Sequence, residues 1–353
     1  MSSVHVVVPE GIDDPSRPSG GNVYDRRLCD ALTPLGWTVR EHPVPGAWPA
    51  PDETALATLA GAVAEIPDDA VALIDGLVAS AAPEVLVPQA RRLRLVALVH
   101  MPLGHRPPAP DAAAREASVF TAVSAIVTTS AWTRRRIAQL YAVPDDRIHV
   151  AEPGVDRAEP AVGTLRGGAL LCVGAVIFDK GHDLLCDALA QISDLAWECV
   201  CVGNIAREPA FVDSLRRRAA DRGLGDRLTF VGPRTGAELD HAYAAADLLV
   251  LPSRLESYGM VITEALARGI PAVAADVGGV REALGDSADG RCPAGLLVAP
   301  DDAAALGRAL RDWLEGRELR QRLRAAARAR RATLRGWPST AASVSGVLTE
   351  VLR

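Results

Sequence analysis

The segment Val4-His5-Val6-Val7-Val8 restricts the fold more than any other stretch of the chain. A run of β-branched residues that does not alternate with polar ones forms a strand covered on both faces, as in a parallel sheet between layers of helices. A Gly-rich loop and a helix-period pattern from Tyr24 to Leu35 follow, the order in which a doubly wound α/β domain begins. Strand-like runs recur at Ala70 to Ile74, Leu93 to Val99, Ala125 to Thr129 and Arg147 to Val150, with helical stretches such as Ser130 to Tyr141 between them. After Pro153-Gly154-Val155-Asp156 a second set appears at Leu170 to Gly174, Trp197 to Gly203, Leu228 to Val231, Leu248 to Pro252, Ile270 to Ala275 and Gly295 to Val298. Helix-length segments separate them, which predicts a second parallel sheet. A length of 353 residues suits two domains, each with its own core. The expected boundaries are an N-terminal domain over 1–157, a C-terminal domain over 158–335 and a closing segment over 336–353 with a helix from about Thr340 to Leu352. The Pro- and Gly-bearing stretch Arg157 to Gly168 is the expected linker.

Composition removes several classes of function. A net charge of −6 and a pI near 5.7 argue against nucleic acid as the main partner, because phosphate binding wants a basic face. The chain's start shows no charged region followed by an apolar core of signal-peptide length, and no apolar run approaches the roughly 20 residues that span a bilayer. A cytoplasmic location is the expectation. Cys29, Cys172, Cys186, Cys199, Cys201 and Cys292 form no CxxC pair and no Cys/His ligand spacing, so they are read mostly as reduced core residues. The Ala- and Arg-rich stretch Arg317 to Arg331 reads as a solvated helix, with peripheral membrane or acceptor contact as the lesser reading.

The chemistry is concentrated in Pro252-Ser253-Arg254-Leu255-Glu256-Ser257-Tyr258-Gly259-Met260-Val261-Ile262-Thr263-Glu264-Ala265-Leu266-Ala267-Arg268-Gly269. A strand ends at Pro252, a polar loop containing Gly259 follows, and a helix from about Val261 to Arg268 is stopped by Gly269. Loop and helix start meet at the carboxyl edge of the sheet, where open parallel sheets bind ligands and free N–H groups favour a phosphate. Glu256 in the loop and Glu264 in the helix, eight residues apart, are placed to accept hydrogen bonds from a sugar and a ribose. Their bland alternatives are a solvated loop residue and a residue favoured by the helix dipole.

The two glutamates in this frame, with Pro-Ser upstream and Gly-x-Pro downstream, closely resemble the donor motif of retaining GT-B glycosyltransferases, the family of sucrose synthase and bacterial phosphatidylinositol mannosyltransferases. The resemblance implies a GT-B fold, two Rossmann-like doubly wound domains facing across a cleft that closes by a hinge motion. It implies that Glu264 binds the ribose hydroxyls, that Glu256 contacts the transferred sugar, and that the backbone of Ser257, Tyr258, Gly259 and Met260 contacts phosphate and sugar. Val173-Gly174-Ala175 through Lys180-Gly181 resembles the family's V-G-R-x-x-x-x-K-G segment, which assigns Gly174 and Lys180 to the diphosphate. Ala175 stands where many relatives carry Arg, so either another cation such as Arg207 substitutes or activity is weaker. Pro18-Ser19-Gly20-Gly21-Asn22 is similar to the family's Gly-Gly loop, which assigns Gly20 and Gly21 to close backbone approach. Gly279, followed by Glu282, resembles a further family loop.

His100, after the strand Leu95 to Val99, occupies a position where the family often has a histidine near the reacting sugar; the alternative is a structural histidine. Asp75-Gly76 ends another strand at the same edge, as an acceptor contact or a turn residue. The resemblance further implies transfer of a hexosyl-type sugar from a UDP- or GDP-linked donor to a hydroxyl, with anomeric retention and front-face displacement. No metal ion and no cofactor are expected, the nucleotide sugar being a substrate, and the acceptor is a small molecule or a cell-envelope component. Three rivals stand beside it. A nicotinamide oxidoreductase lacks its G-x-G-x-x-G after the first strand. A sugar-nucleotide-binding protein without turnover is hinted at by Ala175. A GT-B epimerase or phosphorylase shares the architecture.

Overall fold

The structure is a computed structural model, and it describes residues 2–105, 110–285 and 293–353. Two compact units are present: residues 1–13, 20–154 and 335–353 form the first, residues 14–19 and 155–334 the second. The boundary near residue 155 falls within the turn-rich Pro153-Gly154-Val155-Asp156 sequence.

In the first unit the elements run β1 (Ser3–Pro9), α1 (Gly20–Leu32), β2 (Thr38–Val44), α2 (Glu53–Ala64), β3 (Val71–Asp75), α3 (Gly76–Ala81), α4 (Pro83–Gln89), β4 (Arg94–Val99), α5 (Pro110–Ala122), β5 (Ala125–Thr128), α6 (Ala131–Tyr141) and β6 (Ile148–Val150). The sheet is parallel throughout, in the order β2-β1-β3-β4-β5-β6. Strand order therefore reverses between β1 and β3, the place where such sheets take ligands. Val4, Val7, Val71, Leu73, Val96 and Val99 are fully buried, as two-sided coverage requires. Helix starts follow local chemistry: Asp52 accepts from Ala55 N at 2.8 Å before α2, and Ser130 accepts from Thr133 N at 3.0 Å before α6.

The second unit repeats the plan with β7 (Ala169–Val173), α7 (His182–Ala190), β8 (Glu198–Val202), α8 (Pro209–Asp221), β9 (Leu228–Gly232), α9 (Gly236–Ala244), β10 (Leu248–Leu251), α10 (Met260–Ala267), β11 (Ala272–Ala275), α11 (Val280–Leu284), β12 (Gly295–Val298), α12 (Ala303–Glu315) and α13 (Arg317–Arg331). Its parallel sheet has the order β12-β11-β10-β7-β8-β9, so the reversal lies between β7 and β10. One face buries Leu185, Leu189, Leu310 and Trp313, the other Leu251, Ile262, Leu266 and Val280. The last helix, α14 (Trp337–Val351), belongs to the first unit, where Ser345 Oγ accepts from Trp37 Nε1 at 2.8 Å and Thr340 Oγ1 donates to Glu152 O at 2.8 Å.

Several expectations change. Residues 157–168 are no bare linker: Asp247 accepts from Thr164 N and Thr164 Oγ1 at 2.6 Å each, from Ala169 N at 2.9 Å and from Arg324 Nη2 at 2.7 Å. A buried carboxylate with that many donors fastens the segment to β7 and α13. Strand β2 was not expected, because an edge strand reading Thr-Val-Arg-Glu-His-Pro-Val is mostly exposed and carries a proline. The arginines of α13 are not all solvated; Arg320, Arg324, Arg330 and Arg331 donate to carbonyls of neighbouring elements, while Leu323, Ala326 and Ala327 are buried. Cys29, Cys172, Cys186, Cys199 and Cys201 are free and buried, and Cys292 lies outside the described residues. Among the described residues no helix is long and apolar enough to cross a membrane.

Candidate functional site

In the second unit the reversal of strand order brings together two segments far apart in sequence. Residues after β7 and residues after β10 leave neighbouring strands at the same carboxyl edge. Lys180 ends a short turn of 3-10 helix, Phe178–Lys180, its stem lying over Gly174, and Gly181 in the left-handed region (φ 67°) starts α7. A Cβ at Gly181 would overlap the Pro252 carbonyl, so only glycine lets the two loops approach this closely. Across that contact Lys180 Nζ meets Glu256 Oε1 at 2.5 Å, and Ser253 Oγ donates to the same oxygen at 2.8 Å. Glu256 is buried and Lys180 is partly exposed.

The loop then runs through Ser257 and the buried Tyr258 to Gly259, which adopts φ 94° and ψ 58° at the N-cap of α10. No side chain caps this helix end. Its first N–H groups, on Met260 and Val261, together with the helix dipole, are available to an anion. Helix α10 starts at Met260, one residue earlier than expected, and Glu264 lies in its second turn, half-buried, accepting from Tyr243 Oη at 2.6 Å. Burial raises the Glu264 pKa, partly offset by the Tyr243 hydrogen bond and the Arg268 charge. Glu256 and Glu264 thus belong to two separate networks. Gly278, in the expected loop Val277-Gly278-Gly279, backs the Glu256 carbonyl so closely that a Cβ there would overlap it. Glu282 sits in the first turn of α11.

Position 175 holds alanine, and Arg207, the considered substitute, is exposed on the surface. Arg254, in the loop after β10, is already committed: it binds both oxygens of Asp183 at 2.8 Å and Asp301 at 2.6 Å, and stacks on Phe178. Val231 and Arg234, at and after the end of β9, line a hollow of about 650 Å³ with Leu171, Val202 and His241.

In the first unit Gly20 and Gly21 open α1 instead of standing in a loop before it. His100 follows β4, and its Nε2 lies 2.8 Å from Asp25 Oδ1 and 3.5 Å from Asp75 Oδ2. Asp25 and Asp75 are both buried. Asp75 is also the N-cap of α3, accepting from Leu77 N at 2.9 Å, so the turn role considered for it is observed. Burial alone would lower the His100 pKa; the charge and hydrogen bond of Asp25 outweigh it and raise it. Asp75 is pushed up to about 7 by burial and by the neighbouring Asp25 charge. Asp25 was missed in the sequence, where it reads as one more polar residue of an amphipathic helix; Tyr243 was missed for the same reason, since nothing local marks its partner.

Two groups among the described residues carry metal-capable atoms within 4.8 Å of one another: Asp25, Asp75 and His100, and Cys172, His182 and Cys201. The second has no ligand spacing in sequence and is assembled by adjacent strands β7 and β8 and the start of α7. In the first, the histidine nitrogen facing the carboxylates is already bonded to Asp25.

Comparison with known proteins covers both halves of the chain. The family described as Glycosyltransferase Family 4 matches residues 3–159, and the one described as Glycosyl transferases group 1 matches residues 166–330. A D-inositol 3-phosphate glycosyltransferase of Frankia alni is 35% identical over 263 residues, 69% of this chain and 62% of the relative. One of the same name from Jonesia denitrificans is 32% identical over 262 residues, 68% and 60% of the two chains. The matched stretch therefore spans about three fifths of those relatives' own length. Among solved structures, a sucrose-phosphate synthase of Thermosynechococcus elongatus superposes with a TM-score of 0.80 at 21% identity over 99% of both chains. An Anabaena protein in complex with UDP and glucose gives 0.78 at 18%, covering 99% of this chain and all of the other. With its two halves matched by these two models and two Rossmann-like units on the page, the chain belongs to the glycosyltransferases those models describe, and its fold is GT-B.

Proposed function

We propose that the chain transfers a hexosyl-type sugar from a UDP- or GDP-linked donor to a hydroxyl of a small-molecule or cell-envelope acceptor, with retention at the anomeric carbon and without a metal ion. The observation that carries this reading is the Lys180–Glu256 pair beside the uncapped start of α10, at the strand-order reversal of the second unit. Lys180 supplies a compact positive charge and the N–H groups of Met260 and Val261 supply donors, which suits a diphosphate. Gly174 and the Ser257 to Met260 backbone leave room for close approach. Glu264 accepts the ribose hydroxyls, and Glu256 accepts from hydroxyls of the sugar once Lys180 turns to the phosphate. His100 is assigned to the sugar near its reacting carbon.

In the reaction the bond from the anomeric carbon to the diphosphate oxygen breaks, the acceptor oxygen bonds to the same face of that carbon, and the leaving diphosphate takes the acceptor proton. The protein supplies positioning and stabilises charge on the departing phosphate. The relatives' names suggest a phosphorylated cyclitol as the first acceptor to try.

The test is turnover of UDP- and GDP-hexoses with D-inositol 3-phosphate and simpler polyols, with and without EDTA, the product anomer being read by proton NMR. A glycoside with the donor's configuration, formed equally with EDTA, is expected. An inverted product or EDTA sensitivity would overturn the mechanism. Sugar nucleotide altered or cleaved with no acceptor present would return the epimerase or phosphorylase reading.

A further inference from the structure

His100 sits among buried polar groups that constrain its ring. Its ring packs against α1, where Tyr24 presents its ring at 5.1 Å between centroids and 70° between planes. Tyr24 is itself fully buried, donates from Oη to Ala151 O at 2.8 Å and packs edge-on against Trp337 at 5.6 Å. One turn earlier in the same helix is the backbone of Gly21, where a Cβ would stand 3.1 Å from His100 Cδ2 and 3.4 Å from Cγ. Contacts that short are tighter than ordinary packing, so a side chain at Gly21 would press on the ring.

The ring's edge is fixed as well. Nε2 reaches Asp25 Oδ1 at 2.8 Å and Asp75 Oδ2 at 3.5 Å. Asp75 cannot turn away, because its Oδ1 accepts from Leu77 N at 2.9 Å and Val78 N at 3.4 Å. Asp25 is equally enclosed. Among the described residues His100 Nδ1 has no hydrogen-bond partner.

We infer that Asp25 and Asp75, with the missing side chain of Gly21, are positioning elements for His100: they commit Nε2–H to the carboxylates and leave Nδ1 as the nitrogen that meets a ligand oxygen. This rests on the reading of His100 as a sugar-contacting residue. It also gives Gly21 a second requirement beyond backbone approach, since the glycine makes the space the imidazole occupies. A histidine can bond a ligand through either nitrogen, and a carboxylate on the far nitrogen is what selects one tautomer and one orientation. Asp25 is the stronger partner by distance, and Asp75 completes the enclosure while closing the end of α3.

The groups facing His100 that titrate are Asp25 and Tyr24 from α1 and Asp75 from the end of β3, so the test follows protonation directly. Long-range proton–nitrogen NMR of ¹⁵N-labelled protein, with His100→Gln to identify the signals, reads the tautomer and titration of His100 in the native chain, Asp25→Asn and Asp75→Asn. The native ring should be protonated on Nε2. Asp25→Asn should lower its titration midpoint by about one pH unit or more, because an adjacent opposite charge is gone. In parallel, Asp25→Asn should lower kcat at least about tenfold, as expected when a histidine loses the group that sets its tautomer, with the donor KM little changed. Asp75→Asn keeps an oxygen to cap α3 and should show the same trend more weakly. A native ring protonated on Nδ1, or an Asp25→Asn protein with unchanged midpoint and unchanged kcat, would overturn the inference. Normal turnover in His100→Ala would instead remove the sugar-contacting role proposed above, while the NMR arm would still decide whether the carboxylates hold the ring.

Discussion

Replacing Glu256 by Gln should tighten the binding of a bare nucleoside diphosphate, although Glu256 is assigned to the donor site. In the free protein Lys180 Nζ is held 2.5 Å from Glu256 Oε1, so a diphosphate must compete with a carboxylate already in place. Lys180 keeps 27% of its side-chain exposure and Glu256 11%, which puts the pair between a surface bridge and a buried one. Solvent screening limits such a pair to about 1 kcal/mol. Freed of that competition, Lys180 should bind the diphosphate roughly fivefold more tightly, since about 1.4 kcal/mol is tenfold. Lys180→Met removes a charge-assisted hydrogen bond worth about 1.5–3 kcal/mol and should weaken the same ligand roughly ten- to 150-fold. The intact sugar nucleotide should not gain in Glu256→Gln, because that variant also loses the sugar contact. Isothermal titration of UDP and GDP, and of their sugars, into the three proteins measures all of these. If Glu256→Gln weakens the bare diphosphate as much as Lys180→Met does, the competition is not there.

Glu264→Gln should weaken nucleoside diphosphate binding at pH 7 and abolish its decline toward acid pH, read by titration from pH 5 to 8. The sign follows from the raised folded-state pKa: the ligand-accepting carboxylate is lost as pH falls through that raised value. The stability linked to the same group is fully present below its unfolded pKa and is lost as pH rises through the folded one, so Glu264→Gln should be no less stable than the native chain at pH 8 by thermal unfolding. Asp247→Asn, which leaves Arg324 and two backbone donors facing a neutral group, should cost about 3 kcal/mol and roughly 6–12 °C in Tm. An unchanged melting curve would remove the fastening role given to that carboxylate. Gly181→Ala should lose nucleotide binding more than stability, since it forces the Lys180 turn away from Pro252 while the core below is untouched; undiminished binding would contradict the close approach described.

The sheets were legible because their strands are covered on both faces. Val4 to Val8, Leu248 to Leu251 and Ala272 to Ala275 are apolar without alternation, and that pattern has few other solutions. Strand β2 escaped because an edge strand with exposed Arg40 and Glu41 looks like a loop. The strand-loop-helix unit around Gly259 was legible locally, and the structure adds the left-handed conformation of Gly259 before α10. What could not be read locally was partnership. Nothing near Lys180 in sequence announces Glu256, 76 residues away. Asp25 and His100 are 75 residues apart and meet only because the ends of β3 and β4 lie beside the helix that follows β1. The segment 157–168 looked free because its proline and glycines are visible in sequence, whereas the carboxylate that holds it comes from the residue just before β10.

The most direct test of the central claim is a thermal-unfolding panel of the native chain and Lys180→Met with UDP, GDP, ADP and NAD. A ligand that binds only the folded state stabilises it by about 2.7 kcal/mol at a hundredfold excess over Kd. The account predicts a clear rise in Tm with UDP or GDP, none with NAD, and loss of most of that rise in Lys180→Met. A rise with NAD alone, or a UDP or GDP effect that Lys180→Met leaves intact, would contradict it.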